Sequence, residues 1–200
     1  MNMAGQFDRP VATILQRATP ASEWVKRWSH LVAPDGSVLD IACGPGRHMK
    51  WFADRGHPVT GLDRSIEALD AASAFGNVVL ADLEGGPWPL VDGEQIRKFA
   101  AVIVTNYLWR PLFPVIVDSL APGGLLIYET FARGHETVGR PSRPGFLLQP
   151  GELLRAFSQL ETIAFEEGFL ENPPRFVQRI VAARTDSSAT AKVTPRRYAL

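Results

Sequence analysis

The chain has a single cysteine, Cys43, in 200 residues. No internal disulfide can form, and a reducing compartment, the cytoplasm, is expected. Neither sign of charge is in excess, since 21 Lys and Arg face 21 Asp and Glu. A broad nucleic-acid footprint needs a basic surplus, so nucleic acid is not the expected partner. No apolar run reaches the length of a membrane span. The first ten residues carry Asp8 and lack the apolar stretch of a secretion signal. Internal repeats are absent. No His, Cys or acidic residues fall at metal-ligand spacing, so no metal is expected. The rest, 46% hydrophobic and 21% charged, is the composition of a globular chain long enough for one α/β domain with a core.

Punctuation along the chain is plentiful. Val38-Leu39-Asp40-Ile41 is a short apolar strand carrying an acid, followed by the tight loop Ala42-Cys43-Gly44-Pro45-Gly46 and a helix from Arg47 to about Arg55. Glycines at such a junction let backbone approach a ligand where a Cβ would collide. A second strand, Val59–Leu62, delivers Asp63, about 20 residues after the first acid, as in a βαβ unit that presents a carboxylate to a ribose. Ser65 caps a helix over 66–74, and Asn77–Leu80 is a third strand. Phe99–Thr105, apolar throughout, reads as a strand covered on both faces. A helix over 111–120, a turn at 121–124 and a fifth strand over 125–128 ending at Glu129 follow. The stretch 130–149 reads as a long loop, 152–157 as a helix, and 160–167 with 176–183 as two last strands. Upstream, Trp24, Val25, Trp28, Leu31 and Val32 recur at helical spacing. The fold expected is α/β, a Rossmann-like, doubly wound, mostly parallel seven-stranded sheet with a C-terminal antiparallel hairpin. The expected boundaries are a flexible arm at 1–18, the domain at 19–184 and a flexible tail at 185–200.

This order of signals resembles the class I S-adenosylmethionine (SAM)-dependent methyltransferases. Residues 38–46 look like the glycine-rich first motif, and Gly61-Leu62-Asp63-Arg64-Ser65 like the second. Ala81-Asp82-Leu83-Glu84 resembles the adenine-side segment. Ala101–Asn106 matches the fourth strand, and Leu120-Ala121-Pro122-Gly123-Gly124 the turn before the fifth. Within that family the chain is similar to small bacterial tellurite-resistance-type methyltransferases, through Asn106-Tyr107-Leu108-Trp109-Arg110-Pro111-Leu112, Tyr128-Glu129-Thr130-Phe131, Phe146-Leu147-Leu148 and Pro150-Gly151-Glu152-Leu153. The competing nicotinamide-binding pattern wants a third glycine at position 49, which is Met49.

The resemblance implies SAM as cofactor and a small-molecule methyl acceptor, in a monomer or homodimer with no membrane partner. It implies cofactor contacts from Asp40, Ala42, Cys43, Gly44, Gly46, Asp63, Arg64, Ala81, Asp82, Leu83 and Thr105. Asp40 would order the glycine loop or meet the SAM amino group. Asp63 would accept from the ribose hydroxyls, and Asp82 from the adenine amino group. Arg64 would lie against the adenine or stand as a solvated charge, and Cys43 would be a small packed side chain. Asn106, Tyr107 and Glu129 are the catalytic candidates, Glu129 as general base or as a structural hydrogen-bonding group. Tyr107, Trp109, Tyr128, Phe131 and Phe146 either wall an acceptor pocket or pack in the core. Arg133, His135, Arg140 and Arg143 place potential cations on a loop lid, or simply in solvent. His48 reads as structural. The alternatives are a methyltransferase acting on RNA or protein, with Lys192, Arg196 and Arg197 as a basic tail, and a non-catalytic SAM-binding protein.

Overall fold

The computed structural model describes residues 19–185 and 197–199. The expected arm at 1–18 and most of the tail, including Lys192 and Arg196, lie outside the described residues. Five strands run parallel: β1 (Val38–Ile41), β2 (Val59–Asp63), β3 (Asn77–Leu80), β6 (Phe99–Thr105) and β7 (Leu120–Phe131). They are joined by β8 (Glu161–Glu171) and β9 (Pro174–Ala183), which pair antiparallel with each other, β9 also pairing antiparallel with β7. The order across the sheet is β3-β2-β1-β6-β7-β9-β8. The expected architecture is therefore the observed one. The order reverses between β1 and β6, and open α/β sheets bind ligands in the crevice outside the carboxyl ends at such a reversal.

Helices cover both faces. On one side, α1 (Glu23–Trp28), α2 (Arg47–Ala53) and α3 (Ile66–Ala72) pack Trp24, Trp28, Met49 and Phe52 against Val38, Ile103, Ile127 and Val181. On the other, α4 (Phe113–Asp118) and α5 (Glu152–Ala156) bring Ile116, Leu153 and Phe157 onto Leu39, Val102, Val104 and Tyr128. Alternate residues of β6 thus enter opposite cores, which is why that strand is apolar at nearly every position. The helices are only 5–7 residues long, so burial rather than helix propensity holds them. Caps sharpen their starts: Ser22 Oγ accepts from Trp24 N and Ser65 Oγ from Ala68 N.

Several boundaries differ from the sequence reading. The first helix ends at Trp28 and tightens into a 3₁₀ turn over Ser29–Leu31. The fifth strand starts at Leu120 rather than Leu125, because Leu120 pairs with Phe99 across a register shift while Gly123 N and Gly124 O bond to Arg184. The 111–120 helix is shortened to match. Cross-strand bonding to β9 carries β7 on to Phe131, and the last two strands run right up to the turn at Asn172-Pro173, β8 to Glu171 and β9 from Pro174. A two-stranded hairpin, β4 (Val91–Asp92) with β5 (Gln95–Ile96), sits in what reads as loop. At the far end, His30 Nε2 lies 3.2 Å from Ala199 O, and Tyr198 packs on the α1-side core.

Gly46 shows what the glycine loop must satisfy. Its φ is +82°, and a Cβ there would stand 3.0 Å from both Cα and Cβ of Ala72 on α3. Glycine is needed to seat α2 against α3, besides any role toward a ligand. Gly46→Ala is expected to lower stability by about 1–2 kcal/mol from the left-handed conformation alone, with further loss from the clash. A lower urea midpoint at unchanged slope is the readout.

Candidate active site

Parallel register brings one row of residues to the carboxyl edge of the sheet. Asp63 pairs with Leu80, Thr105 with Glu129 and Glu129 with Arg179, while Ala42 directly follows the Ile41 row between Leu62 and Val104. Two of these strand ends are conformationally strained. Ala42 (φ +54°) and Asn106 (φ +55°) are non-glycine residues in the left-handed region, at the ends of adjacent strands. Such strain costs energy and clusters at functional sites.

Asp63 organises the loop beside it. Its Oδ2 accepts from Gly44 N at 2.8 Å and its Oδ1 from Ser65 N at 2.9 Å. Each oxygen keeps a lone pair for another donor. A cavity of about 160 Å³ opens here, lined by Ala42, Asp63, Arg64, Ala81, Asp82, Leu83, Glu84 and Tyr107. Asp82 makes a local turn, its Oδ1 accepting from Glu84 N at 3.1 Å. Burial first, then the charges of Glu84 and Asp82, push the Tyr107 phenol up to about 12, so it remains a neutral donor at physiological pH. A second cavity, about 220 Å³, is lined by Glu84, Asn106, Tyr107, Leu108, Thr130, Phe131, Pro141 and Phe146. The two cavities share Glu84 and Tyr107.

The structure therefore brings Ala42, Asp63, Arg64, Ala81, Asp82, Leu83, Asn106 and Tyr107 to these cavities. Gly44 touches the first through its bond to Asp63, and no atom lies within 4 Å of the point where its Cβ would stand. Cys43 is buried, with Sγ 2.7 Å from where a Gly61 Cβ would stand. Burial, with Asp40 and Asp63 adding, pushes its thiol well up, and it behaves as packing. Tyr128 lies in the core between Phe113 and Phe157 rather than on a pocket wall, and its OH donates to Tyr107 O at 2.9 Å. Trp109 lines neither cavity, whereas Phe131 and Phe146 line the second. Glu84 stands on both walls, although the sequence places it in the adenine-side segment without naming it as a contact.

Asp40, His48, Thr105 and Glu129 form a separate polar cluster under α1. His48 Nε2 accepts from Ser22 N at 3.2 Å, leaving Nδ1 to face Thr105 Oγ1 at 3.5 Å and Asp40 Oδ2 at 3.8 Å. Burial lowers the His48 pKa to about 3 and raises that of Asp40 to about 8. The 3.8 Å approach thus joins two neutral groups near pH 7 and is no ion pair. Asp40 Oδ2 is buried without a partner. Glu129, 1% exposed, lines neither cavity. Its Oε1 accepts from Ser22 Oγ at 2.9 Å and its Oε2 from Arg179 Nη1 at 3.3 Å, so both oxygens are engaged in tying α1 to the sheet.

The long loop is partly fastened. Arg110, just past β6, donates to Glu152 Oε1 at 2.6 Å and Oε2 at 3.0 Å, and to the carbonyls of Gly145 and Leu147. This fork spans the segment that carries Phe146. His135, buried, stacks on Phe131 at 4.3 Å and meets Arg140 O at 3.0 Å, while Arg133, Arg140 and Arg143 are exposed. Among the described residues no group of three His, Cys, Asp or Glu could hold a metal ion, and no helix is long and apolar enough to cross a membrane.

Two outcomes follow from these contacts. Folded Asp40 keeps its proton to about pH 8, whereas the unfolded carboxyl loses it near 3.8. The native state then binds more protons in that window, so this group's stabilising contribution fades as pH rises through about 8. Asp40→Asn should flatten the fall in urea midpoint across this range, relative to the parent. Arg110→Gln should speed amide hydrogen exchange across 145–149 while leaving β1 and β6 protected.

Residues 38–124 match a family model described as "Methyltransferase domain". The trans-aconitate 2-methyltransferase of Sinorhizobium medicae is 26% identical over 183 residues, covering 84% of this chain and 63% of that protein. The malonyl-[acyl-carrier protein] O-methyltransferase of Salmonella typhimurium is 33% identical over 101 residues, 49% of this chain and 40% of the relative. The chain thus spans only part of the length of these curated relatives. Among solved structures, TehB from Haemophilus influenzae superposes with a TM-score of 0.66 at 17% identity, over 80% of this chain and 61% of TehB. A SAM-dependent methyltransferase of Methanosarcina mazei gives 0.62 at 16% identity, over 84% of this chain and 99% of its own. Motif order and the match at 38–124 liken the chain to the class I SAM-dependent methyltransferases, and its fold is related to that of TehB.

Proposed function

We propose that the chain binds SAM across the β1/β6 reversal and passes its methyl group to a small-molecule acceptor held in the adjoining cavity. The observation that carries this reading is the pair of cavities meeting at Glu84 and Tyr107, one floored by Asp63 and the other by Asn106. The residues present suit the cofactor. Asp63 has oxygens free to accept from two ribose hydroxyls. Asp82 and Leu83 offer a polar and an apolar contact to adenine. The open space at Gly44 and the orphaned Asp40 Oδ2 leave room and an acceptor near a methionine-like amino group. Bound SAM would supply an electrophilic methyl group on a sulfonium leaving group.

The protein's part is then alignment and exclusion of water. The strained Asn106 turn, held by Asn106 N to Glu129 O at 2.9 Å, puts Asn106 on the wall of the second cavity. Tyr107, neutral, is a donor where the two cavities meet. Phe131 and Phe146 shield the acceptor, with the loop fastened by Arg110. Glu129, buried and lining neither cavity, serves as an anchor. The reaction then suits an acceptor whose nucleophile needs no base, such as a carboxylate or thiolate. That fits the relatives, one of which is named for trans-aconitate and another for a malonyl group. A cytoplasmic setting and a small-molecule rather than nucleic-acid acceptor belong to the same reading, supported by the balanced charge and the lone buried Cys43.

Calorimetric titration with SAM, S-adenosylhomocysteine and NAD tests it. Binding of the first two alone is expected. NAD binding alone would overturn the cofactor, and SAM binding without turnover on any carboxylate or thiol would favour a non-catalytic binding protein. Loss of charge-assisted bonds costs about 1.5–3 kcal/mol, so Asp63→Ala should weaken SAM binding by about 10- to 100-fold. An unchanged dissociation constant would remove Asp63 from the ribose site.

A further inference from the structure

We propose that Arg47 and Arg175 form a subsite for a carboxylate group beside the carboxyl ends of β1 and β6. This deepens the methyl-transfer reading and rests on it. The argument begins with what these guanidinium groups lack. The side chain of Arg175, on β9, makes no hydrogen bond among the described residues, and its Nε is buried without a partner. Its one ionic approach is Nη1 to Glu129 Oε1 at 3.7 Å, an oxygen already taken by Ser22 Oγ at 2.9 Å. Arg47 reaches only neutral oxygens, and both bonds are long: Nη1 to Pro20 O at 3.4 Å and Nη2 to Thr105 Oγ1 at 3.3 Å. Among the described residues no carboxylate lies within ion-pair distance of it.

Arg179 shows the contrast. It donates through Nε to Glu166 Oε2 at 2.9 Å and through Nη1 to Glu129 Oε2 at 3.3 Å, so its fork is filled. Three guanidinium groups therefore meet around Glu129, and Arg179 already takes one of that carboxylate's two oxygens. Asp40 does not restore the balance, since burial keeps it protonated near neutral pH. Burial lowers the pKa of Arg47, attraction to Asp40 and Glu129 offsets part of this, and Arg175 lowers it further. The Arg47 and Arg175 guanidinium groups are thus close enough to repel each other, with only the long approach of Arg175 to Glu129 as an ion pair between them. Half-buried cations without a counter-charge are costly, and an incoming anion relieves that cost. The unpartnered Nε–Nη edge of Arg175 is a planar two-point donor that matches the two oxygens of a carboxylate.

The position joins the subsite to the chemistry. Thr105, which Arg47 touches, is followed directly by Asn106 on the wall of the acceptor cavity. Two carboxylates can arrive there: that of the methionine moiety of SAM, or that of an acidic acceptor. The exposed cations of the long loop, Arg133, Arg140 and Arg143, are a separate set in solvent.

The test compares the parent protein with Arg47→Gln, Arg175→Gln and Arg175→Lys, by calorimetry with SAM and decarboxylated SAM, and with trans-aconitate added to the S-adenosylhomocysteine complex. If the carboxylate is that of SAM, both Gln variants bind SAM about 10-fold more weakly, in line with a lost charge-assisted contact. Their affinity for decarboxylated SAM then matches that of the parent. If it belongs to the acceptor, SAM affinity holds and trans-aconitate binding falls by a similar factor. Arg175→Lys keeps the charge without the fork and should recover only part of either loss; it also serves where Arg175→Gln fails to fold. The proposal is overturned if the parent binds SAM no better than decarboxylated SAM and binds no trans-aconitate. Variants indistinguishable from the parent overturn it equally. A parent that binds none of the adenosyl compounds defeats the methyl-transfer reading itself, a different result.

Discussion

Two backbone N–H groups donated to the Asp63 carboxylate set the geometry at this end of the sheet. Gly44 N comes from the loop after β1, and Ser65 N from the start of α3. One side chain therefore fixes the path of the glycine loop and the entry of the next helix. Because β1 and β2 are in parallel register, the distance these bonds bridge is settled by the sheet and not by the loop. Gly46 then has little freedom. It must hold φ at +82° and let α2 close on Ala72. The loop is shaped by what lies behind it, and the open side at Gly44 is left for a ligand.

Most of the sheet was legible in the sequence, since the parallel strands are apolar runs, and all but β6 end at or near an acid. β1, β3 and β6 fall on their expected residues, and the acids at 40, 63 and 129 stand at or beside the ends of their strands. Misreadings lie where non-local pairing overrides local chemistry. Pro122, Gly123 and Gly124 look like a turn, yet Leu120 meets Phe99 and Arg184 bonds on both sides of that turn, so the ladder runs through it. Asn172-Pro173-Pro174 does mark the last turn, but the strands beside it are longer than their apolar runs, because cross-strand pairing reaches Glu171 and Pro174. No local pattern announces such partners.

The site was legible to the depth that motifs reach. The residues that line the first cavity come from four strand ends, those of β1, β2, β3 and β6, in the order that a repeated βα pattern identifies. What the pattern could not foretell was the direction of individual side chains. Tyr128 and Glu129 are neighbours on one strand and so face opposite sides of the sheet. The first is sealed between Phe113 and Phe157, the second beneath α1. An acid at a strand end suggests a base. Whether it is one depends on Ser22 and Arg179, which lie 107 residues before it and 50 residues after it.

That same distance explains how the sheet edge divides its labour. On the β2 side, acids stand at the cavity with oxygens to spare, a surface for hydroxyl and amino donors. On the β7 side, arginines outnumber the carboxylate able to answer them, because Asp40 is buried too deeply to ionise near neutral pH. A zwitterionic or acidic ligand laid across the β1/β6 reversal would meet acceptors at one end and cations at the other. The antiparallel β9 is what creates the second half of this arrangement. It runs back along β7 and brings Arg175 and Arg179 from the C-terminal part of the chain to a row that the first three strands had filled only with acids and small residues. The closing hairpin is therefore part of the site and not only the edge of the fold.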